Sequence, residues 1–106
     1  MIGKAVLEKA NNLVLINTSR AAVVDRTSLI AALESGNVHF YGADVNWEEP
    51  IDIYNVENQK LLSMKNVLIT PHSGWYSEES ENDVRRKAAL EIARVIKGER
   101  PLHVVR

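Results

Sequence analysis

The sequence predicts an α/β fold: about three parallel strands with helices, forming the C-terminal portion of a doubly wound parallel sheet rather than a whole one. Three observations carry this. The apolar runs LVLIN, VHFYGADV and NVLIT are short and each gives way to polar or turn-forming residues, as buried strands do. A capped helical pattern separates the first two runs and a longer one follows the third, and such alternation implies right-handed crossovers and a parallel sheet. The five glycines are isolated, with no G-x-G-x-x-G among them, so the phosphate-cradling half of a dinucleotide fold is missing from these residues.

Each element has its own signal. The first dozen residues read as a short helix around Lys4 to Lys9, and Leu13 to Asn17 as the first strand. Asp25 is placed to cap a helix whose apolar face is Leu29, Ile30, Ala32 and Leu33, and Gly36 stops it. Val38 to Val45 is the second strand. Asn46 to Ser63 has no clear period and reads as a long loop with one or two helical turns, and Asn66 to Thr70 is the third strand. Ser77 caps a long helix, with Glu78, Glu79 and Glu81 near the positive end of its dipole and Val84, Ala88, Ile92 and Val95 on one stripe. Gly98 and Pro101 end it. Continuously apolar strands suit a sheet covered on both faces, yet three strands by themselves leave edges exposed and apolar faces uncovered.

Size and charge narrow the function. The 106 residues suffice for one small domain, and 45% apolar with 25% charged residues is ordinary for a globular one. Thirteen basic and fourteen acidic side chains give a net charge of -1, so neither nucleic acid nor an anionic membrane is an expected partner. There is no cysteine, hence no disulfide or thiolate chemistry. Polar residues break up the apolar positions at the start before a signal-peptide core forms, and no run approaches the roughly 20 apolar residues of a membrane helix. The expectation is a cytoplasmic α/β domain.

Chemistry-bearing residues follow each strand. Arg20 lies beyond the first, Asp44 ends the second with Glu48 and Glu49 after it, and His72 lies beyond the third. In an open parallel sheet the carboxyl ends of the strands face one crevice, so these groups are candidates to converge there. His39 and His103 form no metal-binding spacing with His72, so no metal site is expected. Arg85, Arg86 and Lys87 lie amid acids on the long helix and read as a solvated face.

The segments LVLINTSRAAVVDRTSLIAALESGNVHFYGADVNWEEP and NVLITPHSGWYSEES resemble the D-isomer-specific 2-hydroxyacid dehydrogenases, whose pattern runs Asn-Thr-small-Arg-Gly-x-x-Val-Asp, then Asp-Val with Glu-Pro shortly after, then Thr-Pro-His. HSGWYSEES is most similar to the branch holding the C-terminal-binding-protein co-repressors and phosphoglycerate-dehydrogenase-like enzymes. The resemblance implies a Rossmann-like fold in which residues 1–76 are the C-terminal half of an NAD-binding domain and 77–106 a helix and tail leading toward a substrate domain. It further implies an NAD- or NADP-dependent oxidoreductase acting on a small 2-oxo or 2-hydroxy acid.

By that resemblance His72 is the general acid/base, a task imidazole suits because it titrates near neutrality. Glu49, five positions after Asp44 and directly before Pro50, matches the carboxylate that orients the ring; Glu48 reads better as a helix-capping or solvated acid. Arg20 matches the anchor of the substrate carboxylate, which a planar guanidinium grips with fixed donors. Thr18, Ser19, Arg20, Asp44, His72, Ser73, Gly74 and Trp75 match residues facing the cofactor, with a strand-end cap as the alternative for Asp44 and a core or interface aromatic for Trp75. The pattern's glycine after the arginine is Ala21 here, which is expected to shift the Arg20 loop slightly, because glycine permits a positive φ and close backbone approach. Without the phosphate cradle, these residues are expected to be inactive alone and to self-associate or pair with a complementary N-terminal half. A nucleotide-sensing protein-binding module and a structural, oligomerising fragment are the alternatives.

Overall fold

A computed structural model describes residues 1–104. The chain divides into two compact units, Met1–Gly74 and a second beginning at Trp75.

The first unit holds α1 (Lys4–Leu7), β1 (Leu13–Asn17), a 3₁₀ turn (Ala21–Val23), α2 (Arg26–Ser35), β2 (Val38–Ala43), α3 (Val56–Ser63) and β3 (Val67–Ile69). The strands form one parallel sheet in the order β1-β2-β3. Register is what matters for function: Asn17 pairs with Ala43 and Ala43 with Ile69, so all three strands end side by side.

The helices begin and end where local chemistry dictates. The Asp25 carboxylate accepts the N–H of Ser28 at 2.9 Å and starts α2, and Gly36, at φ 81°, closes it in the left-handed region. α3 starts at Asn55, whose side chain accepts from the N–H groups of Glu57 and Asn58. Ile2 bridges in parallel to Val24, tying the start of the chain to the segment that leads into α2.

The core lies on the helix side of the sheet. Leu7 of α1, Leu29, Ile30 and Leu33 of α2, Val38 and Tyr41 of β2 and Leu61 of α3 are buried together. Burying each such aliphatic side chain contributes about 1.5–3 kcal/mol. The strands have one apolar face uncovered, as expected of three strands by themselves. In β1 and β3 burial alternates, and Val14, Ile16 and Leu68 are all more than half exposed. The side chains of a strand point alternately to its two faces, and within these residues helices cover only one. β2 also stops at Ala43, two residues short of the expected end, where the chain turns to present Asp44.

In the second unit α4 (Glu78–Ile96) is capped by Ser77, whose hydroxyl accepts the N–H of Ser80 at 3.1 Å. It contains no buried residue, so its apolar stripe of Val84, Ile92 and Val95 is exposed. Arg85 pairs with Glu81, and Arg86 and Lys87 both pair with Asp83, so the basic cluster is a solvated ion-paired face. Past the helix, Leu102 donates its N–H to Glu91 at 2.9 Å. No helix among the described residues is long and apolar enough to cross a membrane.

Candidate active site

Three loops leave the aligned carboxyl ends of the strands. The first is built by Asn17, a buried residue at the end of β1. Its side-chain oxygen accepts the N–H and the hydroxyl of Ser19, and its amide donates to the carbonyl of Arg20 at 3.0 Å. This is an Asx-type turn: the side chain replaces the hydrogen bonds that the ladder no longer supplies. It delivers Arg20 in extended backbone, with its guanidinium donating to the carbonyl of Ser19.

The turn that follows removes the concern over Ala21. That residue opens the 3₁₀ turn with its methyl group buried, and the non-glycine residues with positive φ among those described are Asn12 and His72. Position 21 requires no left-handed backbone, so alanine fits without strain.

The third loop is clasped by the second. The Asp44 carboxylate accepts the hydroxyl of Thr70, the N–H of Ser73 at 3.0 Å and the N–H of Gly74 at 2.7 Å. These bonds, the Thr70 hydroxyl first and the Gly74 N–H next, hold its carboxyl below the usual carboxylate range. Three of its roughly four acceptor positions are thereby occupied. The strand-end role set beside its functional one is thus present in full. Inside the clasped loop His72 has φ 56° and donates its N–H to the carbonyl of Thr70 at 2.9 Å. A positive φ at a non-glycine residue is uncommon and is held only by surrounding bonds.

That backbone turns the imidazole toward Glu49. Nδ1 of His72 lies 2.9 and 2.8 Å from the two oxygens of Glu49, and one of those oxygens also accepts the N–H of Asn46. The bond to His72 is the main reason that the Glu49 carboxyl sits below its ordinary range; the Asn46 bond and the charges of His72 and Arg20 add to it. Arg20, Glu49 and His72 line one recess of about 390 Å³ together with Ala21, Asn46 and Trp47. A positive fork, an ionised carboxylate and an imidazole oriented through Nδ1 can bind a carboxylate and exchange a proton with an oxygen beside it.

Glu48 points elsewhere; it caps no helix, and its partly solvated side chain (37% exposed) is ion-paired. It accepts from Arg26 and from the amide of Asn58, and Asn58 is the chief cause of its depressed carboxyl. Thr18, Ser19, Ser73 and Gly74 are exposed at the strand ends and lie outside the lining of the recess. Trp75 belongs to the second unit, where its ring meets Tyr76 edge-on at 5.5 Å. Asn17, Arg26, Trp47 and Asn58 were not singled out from sequence; only Asn17 had a local signal, an Asx residue two before a serine at a strand end. A hollow of about 450 Å³ against α1 and α2 has Lys4 and Glu8 as its ionisable lining, and these pair with each other at 3.6 Å, so it carries no reactive set.

The donors at the strand ends fit one end of a dinucleotide. Exposed hydroxyls at Thr18 and Ser19 and a nearby carboxylate suit an amide or a ribose, whereas no glycine-rich turn is present to hold phosphates.

Comparison with known proteins shows the family. Residues 1–74 match the family model "D-isomer specific 2-hydroxyacid dehydrogenase, NAD binding domain". The chain is 39% identical over 106 residues to the glyoxylate reductase of Thermococcus litoralis, covering 99% of this chain and 30% of that protein. Among solved structures, D-lactate dehydrogenase with NAD+ from Lactobacillus jensenii superposes with a TM-score of 0.84 at 31% identity, over 99% of this chain and 34% of that one. A D-isomer specific 2-hydroxyacid dehydrogenase from Xanthobacter autotrophicus, in complex with NADPH and MES, gives 0.80 at 31% identity, over 97% and 40%. The chain thus spans about 30% of the length of the curated relatives it matches.

Proposed function

This chain belongs to the D-isomer-specific 2-hydroxyacid dehydrogenase family, as part of its NAD-binding domain, and from that premise we propose that it supplies the proton-transfer and substrate-anchoring residues of an NAD(P)-dependent reductase of small 2-oxo acids. The observation that carries this reading is the meeting of Arg20, Glu49 and His72 in one recess, with Nδ1 of His72 against Glu49. The names of the relatives, glyoxylate reductase and D-lactate dehydrogenase, point to a short 2-oxo acid.

A dihydronicotinamide held at the strand ends would supply the hydride for the carbonyl carbon. Arg20 holds the substrate carboxylate and polarises the neighbouring keto oxygen. His72, with Nδ1–H turned to Glu49, gives the proton from Nε2 to that oxygen, so that hydride and proton together make the 2-hydroxy acid; in reverse the ring takes the proton back. Glu49 stays ionised and fixes the ring. Thr18, Ser19, Ser73 and Gly74 would hold the cofactor's nicotinamide end, with Asp44 adding the one acceptor position its clasp leaves open. By this reading residues 1–76 belong to the C-terminal half of the NAD-binding domain, and the segment that begins at residue 77 leads on toward a substrate domain. The 106 residues alone do not turn over, because the cradle that positions the cofactor phosphates is not among them and orientation contributes many orders of magnitude.

A chimera tests this. The N-terminal part of the Thermococcus litoralis reductase is joined ahead of this chain, and NADH oxidation is followed with glyoxylate and pyruvate. The chimera is expected to turn over and the 106-residue chain is not. His72→Asn is expected to lower kcat by about 10²–10⁴-fold while NADH binding, read by fluorescence, persists. Turnover of His72→Asn at the parent rate overturns the assignment of His72, and turnover by the 106 residues alone overturns their inactivity.

A further inference from the structure

Two glutamates stand side by side near His72, and something must decide which one faces it. The side chain of Arg26, the first residue of α2, is 17% exposed. Its Nη1 donates to both oxygens of Glu48, at 3.0 and 2.9 Å, and to the side-chain oxygen of Asn58 at 3.0 Å. Its Nε lies 2.8 Å from Glu57, and its guanidinium lies 5.5 Å from the ring centre of Trp47. Asn58, 2% exposed, donates to Glu48 and to the carbonyl of Asp52, both at 2.9 Å. The indole N–H of Trp47 donates to the carbonyl of Val24 at 3.2 Å. Residues 47 and 48 are thus bound to the α2–α3 side, while residue 49, whose side chain diverges from that of its neighbour, is bound to His72.

We propose that Arg26 is a positioning residue: by holding Glu48 against Asn58 it neutralises one of two adjacent carboxylates and fixes the other, Glu49, on Nδ1 of His72. The proposal rests on the acid–base reading of that pair. Two hydrogen-bonded acceptors, Glu48 and Asn58, and an ion-pair partner, Glu57, around one planar guanidinium are more than a lysine ammonium reproduces from the same backbone position. With Arg26 removed, Glu48 is left a charged neighbour without its main cation, and loop 46–49 loses the contacts that aim Glu49.

The test is the tautomer ratio of the His72 ring in the 106-residue chain, read from ¹⁵N shifts in alkaline solution where imidazole is neutral. Glu49 stabilises the Nδ1–H form, and a ring released from it shifts toward Nε2–H. Arg26→Met is expected to lower the Nδ1–H to Nε2–H ratio by about threefold or more, with Arg26→Lys recovering part of the loss and the amide spectrum of β1 and β2 unchanged. A merely structural role moves the denaturation midpoint without moving this ratio. Should Arg26→Met fail to fold, Glu48→Ala, which removes the anchor of the loop on Arg26 and Asn58, is expected to lower the ratio in the same direction. A ratio unchanged in the folded variants, with Glu49→Ala shifting it, overturns the positioning role alone. A ratio unmoved by Glu49→Ala overturns the acid–base reading and the positioning role with it.

Discussion

The N–H of Gly74 donates to Oδ2 of Asp44 at 2.7 Å, and a β-carbon on Gly74 would stand 2.8 Å from that same oxygen. A side chain at position 74 therefore forces the Asp44 carboxylate, held by three bonds, to shift. Since Asp44 also holds Ser73 and Thr70, the clasp closes the loop that carries His72.

Gly74→Ala is expected to open this loop without unfolding the sheet. Amide exchange at Ser73 and His72 should quicken by about tenfold, while the amides of β1 and β2 keep their protection. Unchanged exchange at both loop positions would show that the clasp does not hold them. Gly42→Ala makes the contrast: its β-carbon would lie 2.9 Å from the end of the Ile16 side chain, which is exposed and free to swing, so stability should change by less than about 1 kcal/mol.

The clasp should also respond to acid. Asp44 is held below its ordinary value of 3.8 by the bonds it accepts. A group with a depressed pKa in the folded state contributes stability above its unfolded pKa and loses it as pH falls through the folded one. The acid titration seen in the ¹⁵N shifts of Ser73 and Gly74 is therefore expected to have its midpoint below 3.8. A midpoint above 3.8 would contradict the clasp.

Restoring the family's glycine should harm this chain. Ala21 has a buried methyl group and a backbone that needs no positive φ. Ala21→Gly is expected to cost about 1 kcal/mol in urea denaturation, from greater freedom of the unfolded chain and the lost methyl contact. A gain in stability would show that the turn is strained.

Asn58→Ala is expected to cost about 2 kcal/mol, because a 2% exposed amide leaves Arg26, Glu48 and the carbonyl of Asp52 each short of a partner. A loss below about 0.5 kcal/mol would place the residue with ordinary surface positions.

What could be read in advance followed the range of the forces involved. Asp25 and Gly36 bound α2, and Ser77 starts α4, because a cap acts within one turn of its own residue. β1 lies where its apolar run does. An uncovered apolar face was expected of three strands, but that Val14, Ile16 and Leu68 lie on it was not legible, since an apolar residue reads alike whether a helix covers it or not. Asn58 gave no sign of its burial, being a polar residue in a stretch without period.

The sequence by itself determined most of the local elements, the parallel sheet and the family, since apolar runs, caps and motifs are properties of neighbours along the chain. Only the tertiary structure decided how the residues after those strands are used. Glu48 and Glu49 are indistinguishable in chemistry, yet one is bound by Arg26 and Asn58 and the other by His72. Asp44, named for a cofactor, has most of its acceptor capacity in a clasp on a loop thirty residues away. Hydrogen bonds between distant segments exist only once the strands have set their ends side by side, and the register of Asn17, Ala43 and Ile69 is what does so.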